Sequence, residues 1–198
     1  MELKYGTWKI SSYEPADARA LCAAGFSPIT AALLCSRGYR DAGAAREFLS
    51  CSYPLSSPFA LLDMDKAAAR VKQALSRREH IAVFGDYDVD GITATCLLTE
   101  YLRSKGGHVT SYIPARLEEG YGLNPIAIDT LKKQGVELIV TVDCGITANH
   151  EAALCRELGI DLVITDHHEC KSELPQAAAL VDPHRKDQPQ PCLLYTSD

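Results

Sequence analysis

A short apolar run leads directly into an acidic loop at Ile81-Ala82-Val83-Phe84-Gly85-Asp86-Tyr87-Asp88-Val89-Asp90-Gly91. The first four residues of this stretch form the apolar run, which predicts a buried β-strand. An acidic segment bounded by glycines follows at once. From Ile92 to Lys105 the apolar side chains return near helical spacing, and Gly106-Gly107 ends this predicted helix. The order of strand, acidic loop and helix is typical of one βα unit of a parallel sheet.

The same alternation continues to the end of the chain. Further strands are predicted at 109–113, 138–142, 162–165 and 178–181, and further helices from Asn124-Pro125 to Gly135 and at 150–158. Strands that alternate with helices form right-handed βαβ units, and nearly continuous apolar strands fit a sheet that is covered on both faces. We therefore predict an α/β fold, an incomplete three-layer α/β/α domain around a parallel sheet.

Residues 1–75 have a different pattern, which predicts a small helical extension in front of the sheet domain. Short helices are predicted at 16–22, 28–34, 42–49 and 62–78, and the segment 50–58, rich in serine and proline, has the composition of a linker. The sheet domain itself is predicted at 76–187.

Composition places the chain among ordinary soluble globular proteins. Its 198 residues are 46% hydrophobic and 23% charged. The net charge of -6 gives no global basic signal for nucleic acid, but clustered carboxylates that bind metal ions would lower the net charge as well. The eight cysteines form no Cys-x-x-Cys pair, and several lie in apolar helical patterns, which predicts free thiols in a reducing compartment. With neither a signal peptide nor a transmembrane run expected, the predicted location is the cytoplasm.

Three acidic motifs follow three of the predicted strands. They are Asp86-Tyr87-Asp88-Val89-Asp90, Asp143-Cys144-Gly145 and Asp166-His167-His168. In an open parallel sheet, ligands bind outside the carboxyl ends of the strands, so the three motifs are expected to converge on one edge. This convergence is stronger evidence for a functional site than any single motif.

The residue types indicate a divalent metal site. Asp88 and Asp90 are two positions apart, so on an extended backbone their side chains would share a face. Asp143 adds a carboxylate and His167 an imidazole. Carboxylates that crowd together raise one another's pKa, and a bound cation removes that cost. A site rich in carboxylates suits Mn²⁺ or Mg²⁺, and two such ions about 3.5–4 Å apart clamp a phosphodiester and activate water.

Each motif alone has a plainer interpretation. Asp-x-Asp-x-Asp-Gly could belong to a calcium-binding EF-hand loop, but the expected glutamate is missing between Ile92 and Leu98. Asp166-His167-His168 could be a helix cap followed by surface histidines. Asp143 could be an ordinary turn residue. Three such motifs after three strands of one sheet favour the metal site.

These motifs resemble those of a known family. Gly85 to Gly91, Val142 to Ile146 and Thr165 to Glu169 resemble the first, second and third motifs of the DHH phosphoesterase family, and among its branches they are most similar to the RecJ-type single-stranded-DNA-specific exonucleases. The resemblance runs from about Trp8 to about Asp187. It implies a two-metal centre that hydrolyses phosphodiester bonds.

The resemblance also implies a role for each matching residue. The implied ligands of Mn²⁺ or Mg²⁺ are Asp88, Asp90, Asp143 and His167. The implied catalytic residues are His168, which would contact the scissile phosphate, and Asp166, which would orient a histidine, with Asp86 in a supporting position. The implied substrate contacts are Arg116 on phosphate and Tyr121 beneath a base. For Tyr121, a loop aromatic that simply packs between glycines is the open alternative.

The implied function is metal-dependent 5′ to 3′ hydrolysis of single-stranded DNA in repair and recombination. Implied partners are single-stranded DNA, a single-strand-binding protein and a helicase, with no membrane. Small-nucleotide phosphodiesterases (nanoRNases) of the family carry a histidine four residues before the first ligand, where this chain has Phe84, which favours the exonuclease branch. A nanoRNase-like activity and a non-catalytic binding module remain the alternatives.

The chain departs from the family pattern at its end. The family's fourth motif supplies another ligand aspartate some tens of residues beyond His168, but the sequence stops at Asp198. We expect this chain alone to bind metal weakly and to have little activity. Residues 188–198 are expected to be a non-native tail, and neither His184 nor Cys192 is expected to be a ligand.

Overall fold

The computed structural model describes residues 11–50, 57–115, 120 and 122–188. The chain divides into two compact units, Met1–Ser56 and Ser57–Asp198. The first unit contains helices α1 (Pro15–Ala23), α2 (Pro28–Ser36) and α3 (Ala42–Ser50). Its core consists of side chains from all three helices: Leu21, Ala31, Leu34, Cys35 and Ala45.

The helices of the first unit begin where their sequences provide caps. The Ser27 hydroxyl accepts a hydrogen bond from the Thr30 backbone N–H, and proline occupies the first position of α2. Ahead of α3, Asp41 Oδ1 accepts from the N–H groups of Gly43 and Ala44. These caps explain why short helices form at the predicted places.

The second unit contains a parallel five-stranded sheet, with a 3₁₀ turn at Pro58–Ala60 before it. In chain order its elements are α4 (Met64–Arg77), β1 (His80–Gly85), α5 (Val89–Ser104), β2 (His108–Tyr112), α6 (Pro125–Lys133), β3 (Leu138–Val142), α7 (Asn149–Glu157), β4 (Asp161–Thr165) and β5 (Ala179–Val181). The strand order is β2-β1-β3-β4-β5, and every neighbouring pair is parallel. The predicted α/β class and the predicted strands are confirmed.

The sheet separates two hydrophobic layers. Alternate strand residues point to opposite faces, so Phe84 and Ile164 pack with α6 and α7, whereas Val83 and Val163 pack with α4 and α5. All six residues of β1 and all five of β3 are buried. Strands covered on both faces can be apolar almost throughout, which is why 81–84 is an unbroken apolar run and 138–142 is interrupted only by Thr141.

One element lies in a different unit from the one that the sequence suggested. The segment 62–78 was assigned to the helical extension, but α4 belongs to the sheet unit, where Ala67, Val71 and Ala74 join the core formed by β1, β3 and β5. The two units divide at residues 56 and 57 rather than at 75 and 76. An amphipathic helix gives no sequence signal for the surface on which its apolar side packs.

Helix α5 has an unusual distribution of polarity. Its buried face carries Gly91, Thr95, Thr99 and Leu102. Its exposed face carries large apolar side chains: Val89, Ile92, Leu97 and Tyr101. The hydroxyls of both buried threonines have no hydrogen-bond partner within the described part of the chain. The buried face is narrow because α5 lies close to the sheet, where a Cβ on Gly85 would come within 1.8 Å of Thr95 Oγ1.

Neither a membrane helix nor a disulfide is found among the described residues. No described helix is both long enough and apolar enough to cross a bilayer. The cysteines in the described ranges are free thiols: Cys22, Cys35, Cys96, Cys144, Cys155 and Cys170. Cys96 was expected within an apolar pattern, but it lies on the exposed side of α5.

His80 is a buried titratable residue at the start of β1. Its Nδ1 lies 3.1 Å from the Gln134 carbonyl oxygen, and its Nε2 lies 2.7 Å from Thr110 Oγ1. Its ring stacks on His108 with 3.8 Å between ring centroids. Burial lowers the pKa of His80, and the neighbouring His108 charge lowers it further. The folded state therefore favours the neutral imidazole.

We predict that His80 makes the sheet unit less stable in mild acid. Below about pH 6.5 the unfolded chain binds a proton at His80 that the folded chain resists, so stability falls as pH decreases. Urea unfolding between pH 7.5 and pH 5 should show this loss. His80→Gln should weaken the pH dependence, although it removes native contacts, whereas His150→Gln, an exposed control, should not. An unchanged slope in His80→Gln would refute the assignment.

Candidate metal centre

The carboxyl ends of the strands form the edge at which the acidic motifs meet. The chain leaves β1 to form β2 on one side and later adds β3 on the other side, so the topological switch point lies between β1 and β3. Ligand sites of doubly wound sheets form at this point. The first acidic motif follows β1, and the second follows β3. The third follows β4, the next strand along the edge.

Asp143, His167 and His168 form the centre of the site. One ligand atom from each lies within 4.8 Å of the others, and these three make up the metal-ligand cluster found in the described ranges. His167 Nε2 lies 2.7 Å from Asp143 Oδ1. The two imidazole rings are tilted, with centroids 4.7 Å apart. One carboxylate and two imidazoles therefore converge from the ends of β3 and β4.

Asp143 is held in a strained backbone conformation. Its φ of 60° lies in the left-handed region, which non-glycine residues rarely adopt, and Gly145 follows with φ 111°. Its backbone N–H donates to the Thr165 carbonyl oxygen, which extends the pairing of β3 with β4 by one residue. Burial raises the pKa of the Asp143 carboxyl, the hydrogen bond from His167 lowers it, and the charge of Asp88 raises it again. The carboxylate is thus arranged to gain from a nearby positive charge.

Asp166 is the hydrogen-bonding hub of the third motif. Its side chain is 1% exposed. Oδ1 accepts from the backbone N–H groups of His167 and His168 and lies 2.7 Å from His168 Nδ1. Oδ2 accepts from the Ile146 N–H in the second motif. One carboxylate therefore ties two motifs together. By accepting a hydrogen bond from His168 Nδ1–H, it makes Nε2 the acceptor nitrogen of the neutral ring.

The first motif differs from the predicted geometry. Asp88 has an extended backbone, but it is the N-cap of α5 and accepts from the Gly91 N–H at 2.9 Å, and the helix begins at Val89 rather than Ile92. Asp90 lies in the first helical turn. The argument that Asp88 and Asp90 share a face on extended backbone is therefore wrong. The charge of Asp88 reaches Asp143, but both Asp88 and Asp90 are exposed and lie outside the three-residue cluster.

Gly91 lets the first motif fold back on the end of β1. A Cβ on Gly91 would lie 2.5 Å from the Asp86 carbonyl oxygen and 2.6 Å from its backbone nitrogen. Asp86 itself is 1% exposed. The glycine thus allows α5 to start directly against the strand end, which fixes where Asp88 projects.

The structure places the other predicted residues as follows. His168 was assigned to phosphate contact, but its ring lies within the ligand cluster, so it also qualifies as a metal ligand. Arg116, Tyr121 and Cys192 lie outside the described residues. His184 lies after β5 and is not part of the cluster. Gln188, the first residue of the predicted tail, hydrogen-bonds the backbone of Ala60 and Leu62.

Asp182 is a position at this edge that the sequence analysis assigned no role. It follows β5 directly and is completely buried. The signal was present, because an aspartate also follows β1, β3 and β4 at the corresponding position. It was overlooked because β5 is only three residues long and has no conspicuous motif after it.

The donor set fits Mn²⁺ or Mg²⁺. Carboxylate oxygen and imidazole nitrogen suit Mn²⁺, and the nearby carboxylates of Asp88 and Asp143 suit Mg²⁺ as well. No cysteine belongs to the three-residue cluster, and burial raises the pKa of the Cys144 thiol next to it far above the usual range, which argues against a thiolate site. His167 Nε2 and Asp143 Oδ1, which contact each other directly, are the atoms that would coordinate a cation if one were bound.

The sequence matches one family model and several characterised proteins. Residues 80–196 match the model described as DHH family, N-terminal domain. The chain is 46% identical over 158 residues to the single-stranded-DNA-specific exonuclease RecJ of Bacillus subtilis, covering 79% of this chain and 20% of that protein. It is 35% identical over 172 residues to RecJ of Escherichia coli, covering 86% and 29% respectively.

Solved structures show the same similarity. A crystal structure of exonuclease RecJ bound to manganese matches with a TM-score of 0.63 and 36% identity over 69% of this chain and 35% of that one. RecJ of Thermus thermophilus in complex with Mn²⁺ matches with a TM-score of 0.64 and 30% identity over 91% and 25%. This chain therefore spans between a fifth and about a third of each of the four proteins named here.

We predict that Gly91→Ala destabilises the first motif. The added methyl group would collide with backbone atoms of Asp86, which cannot move without displacing the strand end. Overpacking of this kind costs roughly 1–3 kcal/mol. Thermal unfolding followed by circular dichroism should show a lower midpoint than in Thr93→Ala, a control on the exposed side of the same helix. A Gly91→Ala midpoint equal to that of the wild type would contradict the packing argument.

We predict that Asp166→Asn weakens Mn²⁺ binding without unfolding the chain. The amide retains one oxygen acceptor but cannot accept at both positions, so either His168 Nδ1 or the Ile146 N–H loses its partner. Loss of a residue that orients a ligand typically lowers metal affinity by about 10–100-fold. Calorimetric titration with Mn²⁺ measures the change, and Asp161→Asn at the opposite edge of the sheet is the control. Equal affinities would show that Asp166 orients no ligand.

Proposed function

This chain belongs to the DHH family, and we propose that it forms part of a metal-dependent exonuclease that hydrolyses single-stranded DNA from the 5′ end, as in RecJ. The main support is that Asp143, His167 and His168 converge at the carboxyl edge of the sheet, with Asp88 close by. The relatives named above are single-stranded-DNA-specific exonucleases. The chain spans only part of these relatives, so we propose the exonuclease activity for a full-length protein that contains this site.

The proposed ligands of Mn²⁺ or Mg²⁺ are Asp88, Asp90, Asp143 and His167, with His168 as a further candidate. When bound, the cations would polarise the scissile phosphate and lower the pKa of a water molecule that attacks it. Asp166 accepts a hydrogen bond from Nδ1 of His168, so that His168 Nε2 can accept a hydrogen bond from substrate or bind a metal ion. The strained turn at Asp143 fixes its carboxylate before substrate arrives.

Position 84 supports a polynucleotide substrate. Phe84 is completely buried and stacks on Tyr112 with 5.4 Å between ring centroids. Its ring thus fills the hydrophobic layer, at the place where the small-nucleotide phosphodiesterases carry a histidine. We propose Arg116 and Tyr121 as the contacts for backbone phosphate and for a base. A single-strand-binding protein and a helicase are the proposed protein partners, and the cytoplasm is the proposed location.

The proposal is tested by metal binding and digestion together. Mn²⁺ is titrated into the chain and into Asp143→Ala by calorimetry, and both proteins are then incubated with 5′-labelled single-stranded DNA. We expect saturable Mn²⁺ binding that falls at least about tenfold in Asp143→Ala, because the variant loses the central carboxylate. Slow release of labelled mononucleotide is expected only from the unaltered chain.

Asp129→Ala, on an exposed part of α6, is the matched control and should bind Mn²⁺ like the unaltered chain. Cyclic dinucleotides and short RNA oligomers are assayed in parallel. Faster hydrolysis of these than of single-stranded DNA would favour the nanoRNase alternative. Metal binding that is unaffected by Asp143→Ala would refute the proposed centre.

A further inference from the structure

Four aspartates form a row across the carboxyl edge of the sheet. Gly85 pairs with Val142, Val142 with Thr165, and Thr165 with Val181. The residues that follow these four are all aspartates: Asp86, Asp143, Asp166 and Asp182. Backbone hydrogen bonds from the Asp143 N–H to Thr165 and from the Asp166 N–H to Val181 continue the pairing into the row. The proposed function uses Asp143 and Asp166 but leaves Asp182 unexplained.

The surroundings of Asp182 differ from those of Asp166. Asp166 accepts four hydrogen bonds from nitrogen, as suits an ionised carboxylate. Asp182 is fully buried, and its Oδ1 accepts from the His184 N–H at 2.7 Å. Its Oδ2 is buried and accepts from no nitrogen or oxygen donor in the described ranges. A second buried negative charge so close to Asp166 would be costly.

The groups around Asp182 link it to the loop that carries the two histidines. Cys170, in the loop after the third motif, faces the Asp182 carboxyl, and the pKa of its thiol is raised to about 11, first by burial and then by the charge of Asp182. The backbone bond from Asp166 to Val181 joins the start of that loop to β5. Asp182 thus contacts both the loop after β4 and the turn at His184.

We propose that Asp182 is a positioning residue for the loop 166–170, and that the fold favours its neutral form over the buried carboxylate. Only the predicted effect of Asp182 on metal binding rests on the proposed function; its predicted effect on stability does not. In neutral form Asp182 accepts from the His184 N–H and lies near the Cys170 thiol without adding charge to the row. Asp166 can then orient His168 without a second buried charge beside it. The row therefore contains one acid whose neutral form the fold favours, beside one that accepts four hydrogen bonds from nitrogen.

The direction of the Asp182 pKa agrees with this arrangement. Burial, with a further contribution from Asp166, raises it from 3.8 to about 6, while the His184 N–H and the charges of His184 and His167 lower it. At a pH between these two pKa values, Asp182 keeps its proton in the folded chain but releases it in the unfolded chain. The folded state therefore loses stability as pH rises from about 4 to 6. Above pH 6 the folded chain carries an ionised Asp182 next to Asp166.

The test compares Asp182→Asn with Asp182→Ala in the 198-residue chain. Asparagine keeps the oxygen that accepts from His184 and cannot ionise. We expect Asp182→Asn to melt higher than the unaltered chain at pH 8, by at least about 4 °C, and the difference to narrow at pH 5. Asp182→Ala should melt lower than both proteins at either pH. Asp129→Asn, which removes an exposed carboxylate, should show no such pH-dependent difference.

Mn²⁺ titration at pH 7 gives the second measurement. Asp182→Asn should bind within about threefold of the unaltered chain, and Asp182→Ala should lose about tenfold or more, because the histidine loop loses its anchor. Asp182→Asn that melts lower than the unaltered chain at pH 8, or Asp182→Ala that melts like it, would overturn the proposal. If the unaltered chain binds no Mn²⁺, the proposed function fails, whereas the melting comparison still decides the role of Asp182. If Asp182→Ala does not fold, Asp182→Asn at the two pH values decides it.

Discussion

Parallel pairing of β1, β3, β4 and β5 crowds four carboxylates at one edge of the sheet, and the candidate site is organised around this crowding. The register of β1, β3, β4 and β5 brings the residues after each strand into one row, about 4.8 Å apart from strand to strand. Four aspartates in such a row repel one another unless each is compensated. Three features reduce that repulsion: the hydrogen bonds that Asp166 accepts, the contact between Asp143 and His167, and the fit of the site to divalent cations.

The interior of the sheet keeps this edge in place. Strands buried on both faces cannot shift by one residue without moving their apolar side chains to the opposite layer, so the register, and with it the row, is tightly specified. Small residues then allow close approach at the strand ends, as Gly91 does beside Asp86. The position of the candidate metal site thus depends on the packing of apolar side chains in the two layers.

Much of this organisation could be predicted from sequence, because apolar runs and strand-end aspartates are local signals. The strands, the α/β class and the convergence of Asp143 and His167 followed from them. The start of α5 at Val89 did not, because Asp88 serves at once as helix cap and candidate ligand. The place of α4 in the sheet unit and the ring of His168 among the ligands depend on tertiary packing. Local sequence patterns do not reveal such packing.

The reversed polarity of α5 has a consequence for the behaviour of the chain in solution. Exposed apolar side chains on α5 can bind to the same surface of a neighbouring molecule and so promote self-association. These side chains are Val89, Ile92, Leu97 and Tyr101. The net charge of -6 keeps molecules apart at low ionic strength. Added salt shortens the range of that repulsion to about 10 Å at 0.1 M while leaving apolar attraction intact. Colloidal stability should therefore be greatest in dilute buffer and should decline as salt is added.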